Sequence, residues 1–123
     1  MDWAKFEKKR ALPHNSGCIS NVHDEDAFDA MAGSLTLEPL AERIRCPTLP
    51  AMGEFDELCP REDAERPCDM MNCPKELWVY ENEAHTLGGR FSDFHPAEAD
   101  WLRDALDGRF GADHARRTFI PAR

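Results

Sequence analysis

The stretch that decides the fold is residues 46–60, "CPTLPAMGEFDELCP". Its first half, "CPTLPAMG", is a short apolar run closed by Gly53, and it reads as a strand. Glu54 and Asp56 follow in a turn. A lone carboxylate past a strand end is by default a solvated loop group, and Asp56 alone carries no more than that. Its weight comes from what lies downstream. Residues 75–81, "KELWVYE", are rich in Trp, Val and Tyr and read as a second strand. "NEAHTLGG" then places His85 just past that strand's end.

Working outward, two helices complete the pattern. "PREDAERPCDMM" (60–71) starts as a helix, with Pro60, Glu62 and Asp63 suited to a first turn. Pro67 is expected to interrupt it. "HPAEADWLRDALDG" (95–108) has Pro96 at a first-turn position and Gly108 as its stop. Trp101, Leu102, Ala105 and Leu106 form its apolar stripe. Strand, helix, strand, helix make an α/β arrangement, a βαβα unit with parallel strands and a right-handed crossover. Chemistry in such sheets gathers beyond the carboxyl ends of the strands. Asp56 and His85 are therefore expected on one edge. Pro50 falls inside the first strand, where it removes a ladder donor.

Upstream, "HDEDAFDAMAG" (23–33) puts Ala27, Phe28, Met31 and Ala32 on one helical face, with Gly33 as the stop. "TLEPLAERI" (36–44) has Leu37, Leu40, Ala41 and Ile44 at helical spacing behind Thr36 as N-cap. Three segments result: a helical one over 1–45, the βαβα unit over 46–110, and a flexible basic tail over 111–123.

The chain has 123 residues, the size of one ordinary domain, which buries roughly two-thirds of its unfolded surface. Hydrophobic content of 41% against 32% charged is that of a globular protein. A net charge of −9 argues against sequence-independent nucleic-acid binding and against docking on anionic lipid. No apolar run approaches the ~18 residues of a membrane span. "MDWAKFEKKR" lacks the apolar region of a signal peptide. With five cysteines, an odd number, this predicts free thiols and a cytoplasmic chain. Cys68 and Cys73 are spaced C-x4-C, with no second pair and no H-x3-5-H, so buried or incidental thiols are expected rather than a metal site.

"IRCPTL…GEFDELCPREDAE…KELWVYENEAH…ADWLRDAL" resembles the C-terminal part of α/β-hydrolase-fold enzymes, over about residues 36–107. In that family a strand after "I-x-C-P-T-L" ends in a "G-E-x-D" turn carrying the triad acid. The next strand ends in a loop carrying the triad histidine, and an amphipathic helix follows. The resemblance implies that Asp56 and His85 are the acid and base. It implies too that the helical segment before Arg45 is the end of a cap region. Within the family the chain is most similar to capped serine esterases, peptidases and carbon–carbon hydrolases.

The chemistry needs these residue types. A neutral imidazole takes a proton from a nucleophile and returns it to the leaving group, while a carboxylate holds its other N–H. The third member belongs in G-x-S-x-G. Ser16, Ser20, Ser34 and Ser92 all lack glycine at both two-residue offsets, and no cysteine meets the same pattern. The expectation is thus the truncated C-terminal portion of a serine hydrolase of esters, amides or related acyl groups. It would supply acid and base, need no cofactor or metal, and be inactive alone. The complete enzyme would act on a small-molecule acyl substrate. The alternative is an assembly module, pairing through an exposed sheet edge with itself or with a complementing upstream chain.

Overall fold

The computed structural model describes residues 21, 22 and 24–122. These fall into two units that divide between Thr36 and Leu37. Trp3, Phe6, His14, Ser16, Cys18, Ser20 and His23 lie outside the described residues.

The first unit contributes helix α1 (Glu25–Ser34). The Asp24 carboxylate accepts the Ala27 N–H at 2.8 Å and caps it. Gly33 does not stop this helix. It ends one residue later, at Ser34, whose hydroxyl donates to the Met31 carbonyl at 2.6 Å. Of the predicted face, Phe28 and Met31 are half-buried while Ala27 and Ala32 are exposed.

The second unit runs α2 (Glu38–Ala41), β1 (Ala51–Gly53), α3 (Arg61–Met70), β2 (Lys75–Tyr80), a 3-10 segment (His85–Arg90), α4 (Phe91–Leu106) and β3 (Ala115–Ile120). Its three strands form one open parallel sheet in the order β1-β2-β3. The architecture is therefore mixed α/β. Helix α2 is short and starts from Leu37 without a side-chain cap, not from Thr36. Ala41 behind it is fully buried against Met71 and Cys73, with Ile44 packed alongside. Residues 37–45 thus belong with the sheet, and the division expected after residue 45 falls earlier.

β3 is a correction to the flexible tail expected over 111–123. Six residues pair with β2, from Lys75 opposite Ala115 to Tyr80 opposite Ile120. The Lys75 N–H donates to His114 O at 2.8 Å, and the Glu81 N–H to Ile120 O at 2.9 Å. The basic composition hid the strand because the partners of Arg117, Asp69 and Glu65, lie far away on α3.

Pro50 acts where the sequence placed it, but it shortens β1 rather than sitting within it. Thr48 bridges Lys75, and the Pro50 carbonyl accepts the Trp78 N–H at 3.0 Å. Proline supplies the acceptor of that rung and not the donor, so the regular ladder begins at Ala51. Pro67 and Pro96 both lie inside helices rather than at a break or a first turn. Each removes one helical bond without ending its helix. Helix α4 starts at Phe91, ahead of His95, and ends at Leu106, with Gly108 as its stop as expected. Gly108, at φ 70°, donates to Ala105 O and Arg109 to Asp104 O, which is a Schellman closure. Its apolar stripe is half covered: Trp101 is buried, but Leu102 is 52% and Leu106 80% exposed.

Alternation along β2 sends neighbours to opposite faces. Leu77 and Val79 pack with Met52, Cys68 and Ala64, on the side of α3. Tyr80 meets Phe94 of α4 edge-on, with ring centroids 5.8 Å apart, on the other side. Both connections step the same way across the sheet but over opposite faces. The two crossovers therefore have opposite hand, one of them the rare left-handed kind. Among the described residues no helix is long and apolar enough to cross a membrane.

Candidate functional site, an aspartate–histidine pair past the strand ends

β1 ends at Gly53 and the chain turns at once, with the Asp56 N–H on the Gly53 carbonyl at 3.3 Å. The Asp56 carboxylate folds back over the turn. Its Oδ1 accepts the N–H groups of Leu58 and Cys59, each at 2.9 Å. This is the local bonding that aspartate favours in turns. The carboxylate's other neighbour comes from the exit of β2. His85 Nδ1 lies 3.1 Å from Oδ1 and 3.0 Å from Oδ2. The structure thus brings Asp56 and His85 together. The side chain of Asp56 is 6% exposed and that of His85 is 50% exposed. An ionised carboxylate only accepts, so Nδ1 carries the proton, and in the neutral ring Nε2 is left with its lone pair.

Two loops must approach closely for this contact. Glu54 N–H donates to Tyr80 O at 2.9 Å and Phe55 N–H to Glu83 O at 2.8 Å. The Glu54 carboxylate accepts the Asn82 N–H at 3.1 Å, where Asn82 turns the chain at φ 59°. Glu54 is a turn fastener and not a partner of His85. A Cβ at Gly53 would lie 2.3 Å from the Glu83 carbonyl oxygen, so only glycine fits there. Beyond His85 the backbone is strained: Thr86 and Leu87 have φ of 72° and 55°. Two consecutive non-glycine residues in this region, one of them β-branched, are uncommon and need firm support around them.

Burial pushes the Asp56 carboxyl upward. The hydrogen bonds from Cys59, His85 and Leu58, and the charge His85 can carry, outweigh it and hold the carboxyl below its usual range. A depressed folded value contributes stability that is fully present above the unfolded value. That stability is lost as pH falls through the folded value. The stability gap between wild type and Asp56→Asn should therefore be widest near neutral pH and shrink below about pH 4, near the usual aspartate value. Urea denaturation at a series of pH values measures this, and a gap constant from pH 7 to pH 3 would refute it.

Among the described residues of this unit no serine or cysteine is bonded to the His85 ring, and Ser92 is exposed in the first turn of α4. Cys59 follows Asp56 closely, but burial and then the charges of Asp56 and Asp63 raise its thiol pKa, which is the wrong direction for a thiolate. Cys46, Cys59, Cys68 and Cys73 are free thiols, and burial also raises the thiol of Cys68. Among the described residues no three His, Cys, Asp or Glu side chains converge where a metal ion could sit.

The sequence reading passed over two polar clusters. His114 bonds Glu76 through Nε2 at 2.8 Å and stacks on Phe110 with centroids 4.5 Å apart. The second oxygen of the buried Glu76 takes the Trp78 indole N–H at 2.9 Å. An acid inside the apolar run "KELWVYE" was the available signal. Arg90, at the end of the 3-10 segment, is buried against Asp93 and the Tyr80 ring. His95, on α4, stacks on Phe91 at 5.0 Å and plays no part at the pair. No protein-family model, no curated protein and no solved structure matches the chain.

Proposed function

We propose that this chain supplies the acid and base of a serine-type acyl hydrolase of the α/β-hydrolase fold, with Asp56 as the acid and His85 as the base. The observation that carries this is the contact itself. A buried carboxylate held by two backbone N–H groups fixes Nδ1 of a half-exposed imidazole. That leaves Nε2 free to take a proton from a nucleophile and hand it to a leaving group. Both groups stand just past the ends of adjacent parallel strands, where such chemistry collects. β1 and β2 would be the acid and histidine strands of the parent sheet, with α3 as the crossover between them. The substrate class is a small ester, amide or related acyl compound, met by the assembled enzyme.

The nucleophile comes from outside the described residues, on this reading from a separate or upstream segment of polypeptide. An acid–base pair with no attacking group has no covalent step. The isolated chain is therefore expected to remain unlabelled by a fluorophosphonate probe, read by gel fluorescence and intact mass. Labelling that disappears when one particular serine is replaced would overturn this.

A second reading is an assembly module. What favours it is β1's place at the sheet edge, paired on one side with β2 and on the other with no strand among the described residues. Such an edge offers N–H and C=O groups to a strand from another chain, either a second copy or a complementing upstream chain.

A further inference from the structure

We propose that Arg90 and the carboxyl end of β3 form a clasp that positions His85, which rests on the acid–base reading of the Asp56–His85 pair. The segment His85–Arg90 holds an unfavourable backbone at Thr86 and Leu87. Such a shape persists only where its surroundings over-determine it. Three anchors do so. The Leu87 side chain is buried, Gly89 N–H donates to Glu83 Oε2 at 3.1 Å, and Arg90 locks the far end.

Arg90 is 7% exposed, and every arm of its guanidinium has a partner. Nε donates to both Asp93 oxygens, at 3.2 and 3.1 Å, and the Nη2 arm to Oδ2 at 2.6 Å. The group sits over the Tyr80 ring, 5.0 Å from its centroid. The remaining arm, Nη1, donates to the Pro121 carbonyl at 3.1 Å. The ion pair with Asp93, three residues on, supports the first turn of α4. The bond to Pro121 adds nothing to that helix; it ties the His85 segment to a strand.

β3 presents that carbonyl only in its observed register. Ile120 stands opposite Tyr80, its carbonyl takes the Glu81 N–H at 2.9 Å, and Ala122 N–H reaches Glu81 Oε2 at 2.7 Å. The strand's end is thus fastened to the exit of β2 on one side and to Arg90 on the other. The residues between those fastenings are the loop that carries His85. Lysine would keep Arg90's charge but not its fork, and could not hold Asp93 and Pro121 together.

The test is NMR on the ¹⁵N-labelled full chain, following the His85 Nδ1–H proton that bridges to Asp56. Arg90→Gln is expected to speed its exchange with water at least tenfold, and Arg90→Lys to do so in part. Thr118→Pro, which removes a β3 ladder donor without touching Arg90, should act like Arg90→Gln. Should Arg90→Gln fail to fold, Arg90→Lys carries the test. Unchanged exchange in variants with folded amide spectra would make Arg90 a support of α4 only and overturn the proposal. A wild-type chain with no protected Nδ1–H would instead sink the acid–base reading on which the clasp depends.

Discussion

Replacing Gly53 with alanine is expected to cost about 3 kcal/mol, the upper end for overpacking, and to separate His85 from Asp56. The reason is space, not backbone freedom, since Gly53 is not in the left-handed region. An added Cβ would lie 2.3 Å from the Glu83 carbonyl oxygen and 2.5 Å from that of Ala84. Both obstacles are backbone, so neither can swing aside as a side chain would. The loop must retreat, and it is the loop that delivers His85. Its retreat also breaks the bond from Phe55 N–H to Glu83 O. Domains hold only about 5–15 kcal/mol in all, so a loss of this size is large for a three-stranded sheet. Gly89→Ala is the steric contrast for stability, and it disturbs only the Gly89–Glu83 anchor of the loop. Its Cβ would meet the end of the Glu83 side chain at 2.5 Å, and that side chain can move. Urea denaturation of both variants, with the His85 Nδ1–H signal followed alongside, measures the difference. A Gly53→Ala chain within about 0.5 kcal/mol of wild type would show that the loop yields freely.

The parts legible in the sequence are those whose signal is local. β2 was visible because Trp, Val and Tyr cluster in "KELWVYE" and favour a pleated, half-buried surface. That Asp56 and His85 emerge on one edge was legible from the strand ends, because parallel strands bring their exits together, while their pairing as acid and base came from the resemblance. The contact between them is structural; their roles as acid and base are still proposed. What stayed hidden depended on distant partners. β3 carries arginines at 116 and 117, and only pairing with β2 and α3 makes them strand residues. Pro96 resembles a helix start, yet α4 begins five residues earlier. Phe91, Phe94 and the Arg90–Asp93 pair hold that extra turn, and none has helical periodicity strong enough to outweigh a proline. The Glu76–His114 contact spans 38 residues, beyond the reach of any local pattern.

That contact sets the second large effect. Glu76→Ala is expected to destabilise the sheet by about 3 kcal/mol, since leaving a buried donor without a partner costs roughly 1–3 kcal/mol. Two donors are affected: the Trp78 indole N–H and His114 Nε2–H both end on the Glu76 carboxylate. Trp78 and His114 are only partly buried, so water relieves some of the loss and the cost stays nearer one full penalty than two. Glu76→Gln should cost about half as much. Its carbonyl oxygen still serves one donor, while its amide N–H meets the other. The loss is expected to appear first in β3, because His114 precedes that strand and its own carbonyl takes the Lys75 N–H. Amide hydrogen exchange should show Arg116 and Thr118 losing protection before Trp78 does, since the Trp78 N–H goes to Pro50 O on the β1 side. A double-mutant cycle of Glu76→Ala with His114→Ala isolates the pair, with a coupling of about 1–2 kcal/mol expected for contacting groups. Additivity within about 0.3 kcal/mol would mean that Glu76 serves Trp78 alone. β3 would then be held by its backbone ladder and by the arginine contacts at its far end.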